Sequence, residues 1–139
     1  MNTRKVLLAV VVNYIFLAVS NYLINAIWLL PVYRQHAEAF RPLDELVGKM
    51  WVMWLAQLLF AFLFVYIYTR GVEEKPWVWQ GLRYAVLMAL LVVAPSALAQ
   101  HVVYRVPYSL AIEWITAGCV QFGVMGLVTA AFCRKEKPV

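Results

Sequence analysis

Four long apolar stretches, at 6–30, 51–69, 84–104 and 112–133, alternate with short polar links along the chain. Each is close to the run of about 20 residues with which a helix crosses a hydrocarbon core. Only His101 and Glu113 bring an imidazole or a carboxyl group into these stretches, each near one end. A backbone in lipid must satisfy its own hydrogen bonds, and the runs lack the alternation of barrel strands, so the pattern predicts helices. The expected fold is all-α, an integral membrane bundle of four transmembrane helices in a single domain.

The links refine the threading. Arg105-Val106-Pro107-Tyr108 is so short that the third and fourth helices must be antiparallel neighbours. The first link is longer, and there Pro42 followed by Asp44 and Glu45 is a helix-start signature. Leu43, Leu46, Val47 and Met50 follow at helical spacing, which predicts a short amphipathic helix on the outer membrane surface, turning at Gly48 into the second span. Near the start, Arg4, Lys5 and the small-x-small Ala18-Val19-Ser20 resemble a cleavable signal. The apolar run continues well past Ser20, so a retained first helix is expected.

Composition excludes other classes. The chain of 139 residues is 65% hydrophobic and 14% charged. A soluble body this small cannot hide so much apolar side chain, and a disordered chain would not carry it. With Lys and Arg at 12 against Asp and Glu at 7, the excess charge first sets orientation. Arg4, Lys5, Arg70, Lys75, Arg83, Arg134, Lys135 and Lys137 fall on one side; Arg34, Arg41, Lys49 and Arg105 fall on the other. Both termini are therefore expected in the cytoplasm, with a bacterial inner membrane as the simplest setting. Aromatic residues cluster at the borders, as interfacial anchors do: Trp28, Tyr33, Trp51, Trp54, Tyr104, Tyr108 and Trp114 outside, Tyr66, Tyr68, Trp77, Trp79 and Tyr84 inside. No basic-aromatic pattern of a nucleic-acid module is present, so no nucleic-acid partner is expected.

Polar side chains inside the spans are the strongest functional pointers, because they are expensive in hydrocarbon. Asn13, Ser20, Asn21 and Asn25 fall within one sector of the first helix, a face suited to hydrogen bonding with another helix or to lining a polar path. In the third helix Pro95 removes a ladder bond from the carbonyl of Leu91 and predicts a bend, with Ser96, Gln100 and His101 beyond it. In the fourth, Thr116, Cys119, Gly123, Gly126 and Ala130 form a stripe of small residues that allows close approach of another helix. Glu113 is expected to reach water or to pair with Arg105 or Arg34. Alternatively it converges with Asn25, Gln100 and His101 in an outer-leaflet site able to exchange protons or hold a cation.

Local catalytic chemistry is missing. There is no His-x-x-x-His, Cys-x-x-Cys or glycine-rich phosphate loop, so no metal or cofactor is expected. Cys119 and Cys133 stand about 21 Å apart on one helix, too far for a disulfide. In size and helix count the chain resembles small multidrug exporters, but asparagines stand where their first helix carries an acid, so no functional residue carries over. The expected role is a non-enzymatic accessory or assembly subunit acting through helix contacts with itself, as a homo-oligomer, or with a larger membrane complex. The alternatives are a small oligomeric transporter or channel lined by the first helix and the Pro95 bend, and a membrane enzyme or cofactor binder using His101 and Glu113.

Overall fold

The computed structural model describes residues 2–134, so Lys135 and Lys137 of the basic set lie outside the described residues. Among these residues four helices are long and apolar enough to cross a membrane: Thr3–Trp28, Asp44–Arg70, Trp77–Val103 and Tyr108–Cys133. The chain is an all-α, four-span integral membrane protein.

Local chemistry marks the helix boundaries. Helix α1 (Thr3–Leu23) starts at Asn2, whose side chain accepts from the Arg4 amide at 3.0 Å, a cap that satisfies one of the free N–H groups of the first turn. It runs on through a wider π turn (Ile24–Trp28), then a short helix α2 (Leu30–Gln35) that has Pro31 in its first turn, where a missing N–H costs nothing. A single 3-10 turn (Ala37–Ala39) leads to α3 (Leu43–Arg70), with Asp44 and Glu45 at its positive end and Arg70 at its negative end. The third span consists of α4 (Trp77–Met88), a second π turn (Ala89–Val93) and α5 (Ala94–Val103); α6 (Tyr108–Cys133) is the fourth.

One expectation about these elements is corrected. The chain does not turn at Gly48: α3 is one unbroken helix of 28 residues, and Leu46, Val47 and Met50 are exposed along its first turns. A glycine in a helix interior costs only about 1 kcal/mol relative to alanine. With helix-forming neighbours on both sides of Gly48 that is too little to end the helix. The short separate helix lies earlier instead, at α2. At Pro95 the third span departs from a regular α-helix. The missing N–H of this proline is accommodated by a turn widened before it, where the amide of Ala94 reaches back to the carbonyl of Ala89.

The fourth span is the centre of the bundle. Helix α6 packs against α1 on one side and against α4 on another, while α3 lies mainly on α1. Accordingly 39% of the most apolar window of the fourth span is buried, against 17–22% in the others. Backbones come close at Gly81 of α4 and Gly126 of α6: a Cβ on Gly126 would lie 2.5 Å from the Gly81 carbonyl oxygen. Near mid-bundle Leu17, Phe64, Met88, Phe122 and Met125 form the largest apolar cluster. At the end bearing the links 29–42 and 104–107, hereafter the long-loop end, Leu29, Val106 and Leu110 form a smaller one. The opposite end carries Asn2, Arg134 and the link 71–76 and is called the terminal end.

Helix α3 departs from this packing in its first half. Between Asp44 and Phe60 no described side chain is buried, and the consecutive residues Met50, Trp51, Val52, Met53, Trp54 and Leu55 are all exposed. Six successive residues go all the way round a helix. The first turns of α3, as far as Leu55, therefore stand clear of the other spans; packing begins at half-buried Gln57 and at Phe60, whose ring lies 5.3 Å from that of Phe122, and continues at Ala61, Phe64 and Val65.

Candidate functional site

The polar face of α1 meets α6. Asn13 is fully buried and its amide donates to the Thr129 hydroxyl at 2.8 Å; that hydroxyl in turn donates to the Met125 carbonyl at 2.7 Å. Two turns nearer the long-loop end, the Gln121 amide is shared between the Ser20 hydroxyl at 2.8 Å and the Asn21 side-chain oxygen at 3.0 Å. Asn13 to Asn21 and Thr129 to Gln121 are both steps of eight residues, in opposite directions, so the partners keep register along an antiparallel pair.

The seam continues at the long-loop end, where α1 loosens into its π turn. There the Asn25 amide donates to the Asn21 carbonyl at 2.9 Å, and the Tyr33 hydroxyl donates to the Asn25 side-chain oxygen at 2.6 Å. The indole N–H of Trp114 donates to the same tyrosine oxygen at 2.9 Å. Tyr33 thus joins the end of α1, the short α2 and the start of α6. Burial raises its phenol above the ordinary 10.0; the Trp114 hydrogen bond opposes that rise, and the nearby charge of Glu113 adds to it.

Of the four residues proposed for an outer-leaflet site, Asn25 accepts from the Tyr33 hydroxyl, and Glu113 is near enough for its charge to act on the same phenol. His101 instead stacks edge-on against Tyr108, with ring centroids 5.4 Å apart, and Gln100 is exposed. Tyr108 and Glu113 are five residues apart on α6, about 140° round the helix, so the imidazole and the carboxylate lie toward different sides of it. One oxygen of Glu113 and the Nδ1 of His101 are buried without a hydrogen-bond partner among the described residues. The ion pairs among those residues are Arg41 with Glu45 and Lys75 with Glu73; Glu113 pairs with neither Arg34 nor Arg105. A polar concavity of about 570 Å³ lies at the same end between the links, lined by Arg34, His36, Glu38 and Arg105 among others, but none of the four proposed residues lines it.

The stripe on α6 divides in two. Gly126 and Ala130 are buried against Gly81 of α4, whereas Thr116 and Cys119 are exposed and a Cβ on Gly123 would meet nothing within 4 Å. Tyr33, Trp114, Gln121 and Thr129 were not singled out as site residues from the sequence. A signal for the last two existed: Gln121 and Thr129 are eight residues apart in an apolar helix, matching the spacing of the asparagines on α1. The role of Tyr33 depends on how the chain folds back after the π turn, which no spacing reveals.

No three of the His, Cys, Asp and Glu side chains among the described residues stand together as a metal site would require. The seam's amides and hydroxyls largely hold one another. What this arrangement does chemically is to fix α1 on α6 in one register, each interhelical hydrogen bond in a membrane contributing about 0.6 kcal/mol on average. Compared with known family models, curated proteins and solved structures, the chain matches none.

Proposed function

We propose that this small polytopic membrane protein is a non-enzymatic accessory or assembly subunit, acting through helix contacts with a second copy or a larger membrane complex. The observation that carries this reading is the first half of α3. It leaves apolar side chains exposed all the way round, including Trp51 at 62% and Leu55 at 58%. Lipid has no hydrophobic reason to push helices together, so a span joins its own bundle only where packing and hydrogen bonds hold it. A half-span left outside its own bundle is available to a helix from another chain. The other half of the α6 stripe, exposed Thr116 and Cys119 with half-buried Gly123 beside open space, adds a second surface on which a helix can approach closely.

The setting proposed is a bacterial inner membrane with both termini in the cytoplasm, on the distribution of basic residues. A reporter at the C-terminus that fluoresces only in the cytoplasm tests the orientation; periplasmic phosphatase activity there inverts it. The transporter reading gains less support, because the side chains of Asn13, Asn21 and Asn25 each hydrogen-bond to protein, leaving among them one buried oxygen, that of Asn13, without a partner among the described residues. The assembly reading is tested by photo-crosslinking in native membranes from Leu55, Leu59 and Gly123. Discrete adducts from these positions are expected, and a chain that stays monomeric and without partner at native abundance removes the idea.

A further inference from the structure

A groove of about 420 Å³ separates α3 from α4 at the terminal end. It exists because aromatic side chains bridge the two helices while their backbones stay apart. The Tyr84 hydroxyl donates to the Phe64 carbonyl at 2.6 Å, and the Tyr84 ring packs edge-on against both Phe64 and Tyr68. At the mouth, Gln80 ties the two helix ends: it accepts from the Tyr68 hydroxyl at 3.3 Å and donates to the Gly71 carbonyl at 3.2 Å.

One wall of the groove has a definite order. Trp79, Arg83, Leu87 and Leu91 recur every four residues on the third span, and all four line the groove. From the link inward this face reads indole, guanidinium, isobutyl, isobutyl. From Arg83 to Leu91 it covers about 12 Å at 1.5 Å per residue, and Leu87 and Leu91 are 57% and 70% exposed toward the surrounding bilayer. A tryptophan and an arginine followed by leucines is the sequence of environments that a phospholipid presents, headgroup first and acyl chain after.

Charge decides which headgroup fits. The ionisable groups lining the groove are Glu73, Lys75 and Arg83, besides the two tyrosine hydroxyls. Glu73 is held by Lys75, which keeps its carboxyl below the usual carboxylate range, with Arg83 a weaker contributor. Arg83 makes no ion pair or hydrogen bond among the described residues, so one guanidinium remains in the groove to meet an anionic group. The only carboxylate in the groove, the feature that would attract a choline ammonium, is already engaged.

We infer that this groove binds an anionic phospholipid, with its phosphate on Arg83 beside Trp79 and an acyl chain along Leu87 and Leu91. The test uses the full chain, purified in detergent, titrated with phosphatidylglycerol or phosphatidylcholine of matched acyl chains, with bound lipid counted by native mass spectrometry. Phosphatidylglycerol should be retained at least about fivefold more strongly, as expected for one surface cation acting on an anionic headgroup. Arg83→Gln should remove that preference, Arg83→Lys should keep most of it, and Leu87→Trp should weaken retention of both lipids by filling the groove. Far-UV circular dichroism and thermal melts check that each variant is folded; since Arg83 and Leu87 are exposed, neither substitution disturbs the core. Equal retention of the two lipids by the native chain overturns the proposal, as does undiminished phosphatidylglycerol preference in folded Arg83→Gln.

Discussion

Gly123 and Gly126 look interchangeable in the sequence, three residues apart in one stripe of small side chains, yet they should respond to alanine in opposite directions. A methyl on Gly126 would lie 2.5 Å from the Gly81 carbonyl oxygen and 2.8 Å from the Ala85 Cβ. The obstructing atoms are backbone and a Cβ, which cannot rotate aside, so α4 must shift away from α6. Overpacking of this kind costs about 1–3 kcal/mol, and backbone obstruction places this case near the upper figure. The better helix propensity of alanine returns about 1 kcal/mol, leaving Gly126→Ala about 2 kcal/mol less stable. A methyl on Gly123 would meet nothing within 4 Å, so only the propensity gain of about 1 kcal/mol remains. The two variants should then differ by about 3 kcal/mol, more than 100-fold in the unfolding equilibrium. Reversible unfolding in mixed micelles with increasing dodecyl sulfate, followed by circular dichroism, measures the difference. Equal midpoints for the two variants, or a stabilised Gly126→Ala, would show that α4 and α6 do not cross at these glycines.

The polar seam makes further predictions. Thr129→Val should cost about 1–3 kcal/mol, because it leaves the buried Asn13 amide with no acceptor. Asn13→Leu should cost less, since it removes that donor together with an oxygen that already has no partner, while Thr129 keeps its bond to Met125. The same micelle titration ranks the two, and a larger loss for Asn13→Leu would contradict the hydrogen bond drawn between them. Gln121→Leu breaks two interhelical bonds, to Ser20 and Asn21, and should lower stability by about 1 kcal/mol. Tyr33 should ionise above the ordinary 10.0, read as the tyrosinate absorbance lost in Tyr33→Phe. Glu113→Gln should lower that value, by removing a like charge, and Trp114→Phe should raise it, by removing a donor that favours the phenolate. As the folded pKa is the higher one, the associated stability is complete below pH 10 and is lost as pH rises through the folded value. A Tyr33 that titrates at or below 10 would remove the burial argument.

How much of this was readable beforehand varies with the range of the interaction. Span number and approximate limits follow from hydropathy, because in lipid each helix satisfies its own backbone and the decision is local. Local reasoning erred where two weak signals competed. At Gly48 the glycine was read as a turn, but its cost is small beside the helix-forming neighbours. By contrast, the missing N–H of Pro95 marks in the sequence the place where the third span leaves regular α-helix, in a π turn just before it. The asparagine face was visible as a face, but its partner was not, because a sector on one helix says nothing about which of three others will meet it.

The sequence by itself determined that the chain has four helices long and apolar enough to cross a membrane, and that the first of them has a face unsuited to lipid. Each of these is a property of one segment in contact with solvent or hydrocarbon. Tertiary structure decided the rest: that α6 is central, that Gly126 touches Gly81 while Gly123 faces open space, that Tyr33 couples Asn25 to Trp114, and that half of α3 stands apart. These depend on how residues from different spans meet, at distances where a single methyl group changes the packing. The helices of this chain are written in its hydropathy, and their arrangement is set by a few contacts between glycines, amides and aromatic rings.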